Sequence, residues 1–184
     1  MDATKIERVY RGELQRLNLF LYIPGEQADL KLVKWWADLN KSGDIAEIFH
    51  AQNRPLSIFI HIFQPPTITF ISLNEEGEVN FAMWFSQCDM AEPAAFTALW
   101  ADESIRGTRD LFKRELICHL AVFAVKKHLF AVTRAKRVKL FEKTGYQTAG
   151  VFPGCYPDQD GILMHLDLKL LQQSKIFKMF IKEI

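Results

Sequence analysis

The residue types that carry chemistry are thinly spread along this chain of 184 residues. Its three cysteines, Cys88, Cys118 and Cys155, are odd in number, far apart and in no CxxC pair, so they read as reduced thiols with structural or incidental roles. Without a tight Cys/His cluster, no metal site is expected. Cys88 precedes Asp89 at the end of a strand-like run, yet a thiol nucleophile needs a neighbouring base that the sequence does not place there. His50, His61 and His165 are isolated from one another, and a ligand set would need tertiary convergence. His119 falls within the apolar stretch 116–125 and reads as a buried histidine with one nitrogen satisfied. Trp35, Trp36, Trp84 and Trp100 would suit base stacking, but their helical or alternating spacing assigns most of them to a core. Lys126, Lys127, Arg134, Lys136, Arg137, Lys139 and Lys143 form a basic segment whose charges suit cofactor phosphates, RNA or only a solvated helix face.

The elements that must position these groups follow from hydrophobic periodicity. Residues 6–23 contain at least one strand, ending at Pro24-Gly25. Asp29 then caps a helix with Leu32, Trp35, Trp36 and Leu39 on one face, ended by Gly43. Asp44 and Glu47 have capping-box spacing for a second short helix toward Ala51, and residues 56–63 are ambiguous between strand and helix. Residues 67–73 and 78–86 make a hairpin about Asn74-Glu75-Glu76-Gly77, with Val79, Phe81, Met83 and Phe85 expected on one face. A strand over 94–100 follows, with Phe96, Ala98 and Trp100 on one side. After the loop 101–107, Thr108 is the N-cap and Asp110 the first-turn acid of a helix expected to run to Lys126-Lys127-His128. Residues 129–133, 146–152 and 161–168 read as strands and 136–143 as a short helix stopped by Gly145. Residues 169–184 read as one basic amphipathic helix carrying Leu170, Ile176, Phe177, Phe180 and Ile181.

The length fits one domain, and a hydrophobic fraction of 49% suffices for a packed core. Twenty-three basic against 22 acidic residues leave a formal charge of +1, which excludes a global field toward nucleic acid or anionic membrane. The charged start has no signal-peptide run, and the stretch 116–125 is half the ~20 residues a membrane span needs. A soluble, cytoplasmic protein without a membrane partner is the expectation.

The order strand, two helices, three strands, long helix, strand, short helix, two strands resembles the GNAT N-acetyltransferase superfamily over about residues 5–168. Lys139-Leu140-Phe141-Glu142-Lys143-Thr144-Gly145-Tyr146 adds a local match: the family's short helix usually reads leucine, tyrosine, glutamate, lysine, any residue, glycine, aromatic. The glycine permits the positive φ of a helix stop, and the aromatic opens the next strand into the core. The resemblance implies an α/β (α+β) fold: a mixed, centrally splayed sheet flanked by helices, with 94–100 and 129–133 as neighbouring parallel strands at the split. Residues 1–168 would form the domain and 169–184 a C-terminal helical extension, packed on the domain or on a second copy in a homo-oligomer.

The resemblance also implies an acetyl-coenzyme A site, beginning at the strand end at Trp100, where turn amides and a helix N-terminus hold a pyrophosphate. Its residues would be Ile105, Arg106, Gly107, Thr108, Arg109 and Asp110, with Arg134 and Phe141 beyond them. The family's loop normally reads Gln or Arg, two residues, Gly, one residue, Gly or Ala; from Arg106 the two small positions fall on Arg109 and Leu111. Gly107 allows close backbone approach at one point, and Arg106 and Arg109 supply side-chain phosphate contacts or are ordinary surface arginines. Phe141 stands where many family enzymes carry a tyrosine that protonates the leaving thiolate. Candidate general bases are Glu92, Asp102 and Glu103, each otherwise a solvated loop charge. The implied function is transfer of an acetyl group to an unidentified amine. The alternative is a non-catalytic assembly or partner-binding protein on the same scaffold, of the kind phages and mobile elements encode, and a weaker third reading is a nucleic-acid module using 134–143.

Overall fold

Alternating apolar residues through the middle of the chain pair into one sheet. The computed structural model describes residues 12, 14–23, 28–42, 63, 66–156 and 158–182. Its strands are β1 (Leu19–Leu21), β2 (Ile68–Leu73), β3 (Val79–Cys88), β4 (Ala94–Ala101), β5 (His128–Thr133), β6 (Gln147–Phe152) and β7 (Gly161–Asp167). They lie in the order β1-β2-β3-β4-β5-β7-β6. The expected short helix at 44–51, the ambiguous segment 56–63 except Phe63, and His50 and His61 fall outside the described residues. Within the expected strand region 6–23, residues 14–16 are helical and β1 follows them.

The hairpin forms as its turn chemistry requires. Asn74 Oδ1 accepts the Glu78 N–H at 2.7 Å, and Gly77 takes φ +76, a conformation that β-branched residues resist. The register then shifts between Ser72 and Leu73, so Val79 lies opposite Leu73 and Phe81 opposite Ser72. That irregularity corrects the expected face: Phe81, Met83 and Phe85 enter one core, whereas Val79 joins Ala82 and Trp84 in the other. Buried Arg114 reaches this point, donating from Nε to Ser72 Oγ at 3.1 Å while Ser72 donates to Asn80 Oδ1.

Two cores follow from the two faces of the sheet. Helix α1 (Ala28–Ser42) lays Leu32, Trp35, Trp36 and Leu39 on Ile71, Trp84 and Trp100. On the opposite face, α2 (Arg109–Val122) contributes Leu111, Leu116, Ile117 and Val122. Thr108 caps α2 by accepting the Leu111 N–H at 3.2 Å. The helix is shorter than its sequence suggested: Lys127 N–H is taken by Pro93 C=O at 2.7 Å, and His128 already opposes Ala94 in the sheet. Pairing of β5 thus overrides the helical tendency of residues 123–127.

Between β5 and β6, a 3-10 turn (Ala135–Arg137) leads into α3 (Val138–Lys143). Gly145 stops it with φ +100, and Tyr146 N–H bonds Phe141 C=O at 3.2 Å. The C-terminal segment is two helices, not one: α4 (Leu168–Gln173) and α5 (Lys175–Lys182) meet at Ser174, whose extended ψ of 154° breaks the ladder and whose Oγ accepts the Phe177 N–H. Leu171 and Phe180 enter the core beside α2. No helix among the described residues is long and apolar enough to cross a membrane.

Candidate active site

The sheet opens at its centre. Strands β4 and β5 are the parallel pair, and their register covers Ala94, Ala95 and Phe96 opposite His128, Leu129 and Phe130. Beyond Phe96, β4 follows β3 up to Ala101 and β5 follows β7 up to Thr133, so the two strands part. The connection through α2 returns the chain to the sheet as a parallel neighbour, and divergence leaves one edge of β4, among the described residues, without a strand from Thr97 onward.

A cavity of about 50 Å³ lies beside this opening, lined by Thr97 and Leu99 of β4, Glu115 and His119 of α2, Phe141 of α3, and Tyr146. One water needs roughly 10–15 Å³ of such space, so the cavity admits a group of a few heavy atoms. His119 Nε2 and the Tyr146 hydroxyl share a hydrogen bond of 3.0 Å. Among the described residues, His119 Nδ1 is buried with no partner, and Thr97 Oγ1 is buried with no well-formed hydrogen bond, only a side-chain contact that favours the ionised form of Tyr146. Burial pushes the His119 pKa down to about 3, keeping the ring neutral, and pushes that of Glu115 up to about 8. Tyr146 is raised by burial and then by the nearby Glu115 charge. Phe141 closes the chamber, its ring edge-on to Tyr146 at 5.3 Å.

The loop that follows β4 is built by its own polar groups. Arg106 Nε donates to Ala101 C=O at 2.7 Å, Thr108 Oγ1 donates to Ile105 C=O at 2.7 Å, and Gly107 takes φ +73 with open space where a Cβ would stand. These contacts present the N-terminal turn of α2, whose first amides lack intrahelical acceptors. Asp110 occupies that turn and pairs with Arg16 at 3.0 Å, so a carboxylate already meets part of the helix field. Arg109 lies with Lys113, Lys143 and Lys175 around an apolar groove between α2, α3 and α5.

The other candidates are placed differently. Asp102 accepts the Ser104 N–H at 2.9 Å, and hydrogen bonds from Ser104 hold its carboxyl below the usual carboxylate range. Glu103 is 90% exposed, 3.9 Å from Arg106. Glu92 precedes the opposite end of β4, bonded to Lys127 at 3.1 Å and His128 at 3.0 Å. An eight-residue strand, roughly 25 Å, separates it from Asp102, so the two do not serve one reacting atom. Arg134 stacks over Tyr156, and its Nη1 donates to both carboxylate oxygens of Asp158, at 3.1 and 2.8 Å. Trp100 faces the other core, edge-on to Trp35 at 5.2 Å. His165 meets a histidine expected at a helix end: His128 Nδ1 and His165 Nε2 are 3.0 Å apart, at the Glu92 end of the sheet. Among the described residues no group of three could hold a metal ion.

An open, seven-stranded mixed sheet parted between its parallel strands, with a capped helix N-terminus at the mouth of the opening, defines the class of fold. It is the fold of the GNAT N-acetyltransferases. An aminoglycoside 6'-N-acetyltransferase solved with coenzyme A superposes with a TM-score of 0.65 at 12% identity, covering 81% of this chain and 96% of its own. Spermidine N-acetyltransferase from Vibrio cholerae, with coenzyme A and spermine, gives 0.62 at 17% identity, covering 85% and 99%. The ribosomal-protein-S5-alanine acetyltransferase from Vibrio fischeri gives 0.62 at 10%, covering 82% and 93%. No family model and no curated protein matches the sequence itself. At these identities the likeness establishes the fold.

Proposed function

We propose that the protein is an acyl-coenzyme A dependent N-acyltransferase that moves an acetyl group directly to an amine. The observation that carries this reading is the chamber beside the β4–β5 opening, where among the described residues His119 Nδ1 is buried without a partner and Thr97 Oγ1 without a well-formed hydrogen bond. Buried polar atoms of this kind are ordinarily satisfied, so the capacity left unmet here fits a polar ligand entering the chamber. The free edge of β4 suits an extended amide-bearing chain, and the α2 N-terminus with Gly107 and Thr108 suits a pyrophosphate. Bound there, acetyl-coenzyme A would supply a thioester as activated acyl donor. The chain's part is to align that group, exclude water through Phe141 and Leu99, and offer a polar end to the chamber. Asp102, Glu103 and Asp110 bring negative charge to the loop, opposing phosphate, and Arg109 and Leu111 stand at the family's two small positions, which leaves Gly107 as the point of close backbone approach. Binding is therefore expected to be weakened relative to an intact loop, not abolished.

Calorimetry with acetyl-coenzyme A, followed by thiol release in the presence of polyamine, aminoglycoside and peptide amines, tests the reading. Saturable heat with amine-dependent thiol release supports it. Absence of heat and of any melting shift at millimolar ligand favours an assembly scaffold instead.

A further inference from the structure

Among the described residues Glu115 is the one carboxyl lining the chamber, and it does so from the buried face of α2, beside Leu116, Ile117 and His119. It is 7% exposed and shares the cavity wall with Phe141, the residue that stands where a proton donor would be needed. Among the described residues no side chain forms an ion pair with it: its neighbour Arg114 turns away to Ser72 and the Leu17 carbonyl. The titratable groups around it are Cys118 and His119 on its own helix and Tyr146 across the cavity, while β4 and α3 present Thr97, Leu140, Phe141 and Thr144, none of which titrates in the working range. A carboxyl in such surroundings stays protonated at neutral pH, and desolvation moves its pKa to about 8.

We infer that Glu115 is the acid of the reaction, giving its proton to the leaving sulfur in place of the hydroxyl that Phe141 lacks. This rests on the acyltransferase reading. As the nitrogen–carbon bond forms and the carbon–sulfur bond breaks, the sulfur takes the Glu115 proton and leaves as a thiol. The Glu115 carboxylate then accepts the surplus proton of the acylated nitrogen, which restores the acid and yields a neutral amide. One carboxyl serves both transfers, and no further co-reactant is required. Tyr146 and His119 act through position: their mutual hydrogen bond fixes the polar end of the chamber.

The test uses the whole chain and the variant Glu115→Gln, with three readouts. First, the variant is expected to bind acetyl-coenzyme A in calorimetry as the parent does, while kcat falls roughly 10²–10⁴-fold. Adding Phe141→Tyr to it should restore part of that loss. Second, melting should depend on pH. The Glu115 pKa is raised from 4.5 to about 8, so the folded state holds a proton the unfolded chain has lost, and stability declines as pH rises through that window. His119 works in the opposite sense until its unfolded-state imidazole loses its proton, but it does so equally in both proteins, so the melting temperature of the parent relative to the variant should fall as pH rises from 6.5 to 8. Third, the parent should show an infrared band of a protonated carboxyl at pH 7 that titrates near 8, a measurement that needs no variant to fold. Binding and turnover in the parent with kcat unchanged in Glu115→Gln, or a parent without that band, overturns the inference and leaves the acyltransferase reading intact. No binding of acetyl-coenzyme A overturns both.

Discussion

Tyr146 and His119 share a hydrogen bond of 3.0 Å within the core. Replacing Tyr146 by Phe removes the hydroxyl with little change of shape and leaves His119 with both ring nitrogens unpartnered. An abandoned buried polar group costs about 1–3 kcal/mol, and urea denaturation of Tyr146→Phe should show a loss in that range. At this scale the sequence told part of the story. His119 reads correctly as buried with one nitrogen satisfied, because an apolar helix interior is a local signal. Glu115 was missed, although a carboxylate and an imidazole four residues apart in a helix otherwise apolar on most sides mark a polar spot in the core. What the sequence lacked was the opening of β4 from β5, which decides that this spot faces a cavity. The carboxylates it did propose are visible as loop charges, yet their separation along β4 emerges only from strand direction.

The turn between α3 and β6 shows how an element boundary is fixed by its neighbours. Gly145 has φ +100, and a Cβ there would stand 2.9 Å from the Leu170 carbonyl and 3.1 Å from Ser174 Cβ. Gly145→Ala therefore combines a disfavoured left-handed backbone with a collision against α4, and should cost about 1–3 kcal/mol by thermal or urea denaturation. Ser174→Ala removes the N-cap of α5 and should cost about 1 kcal/mol in the same assay, with the contacts of Leu171 unchanged. The helix stop at Gly145 is legible because glycine followed by an aromatic is a local pattern. The break at Ser174 is not, since the apolar spacing of Leu170, Ile176 and Phe177 suits one helix as well as two. The same limit explains Val79, whose face depends on a register shift opposite Ser72 that alternation alone cannot encode.

Across the whole molecule, the last two helices complete the core, for Leu171 is 1% and Phe180 7% exposed. A chain ending at Leu168 should melt at lower temperature and bind an apolar dye, as the wall of α2 that carries Leu116 loses its cover. The mixed, split sheet was legible from element order because a strand, helix, strand unit can return only as a parallel neighbour. That junction has a further effect. Eight residue pairs join β3 to β4 and six join β5 to β7, but three join β4 to β5, between partners 34 positions apart in the chain. The sheet is thus two antiparallel blocks held at a short seam. In the native state the seam is where cooperative opening divides the molecule, so amide protons of the β1–β4 and β5–β7 blocks exchange as separate units. A ligand lying across the opening couples them, and slowed exchange in both blocks at once is the mark by which its arrival would be recognised.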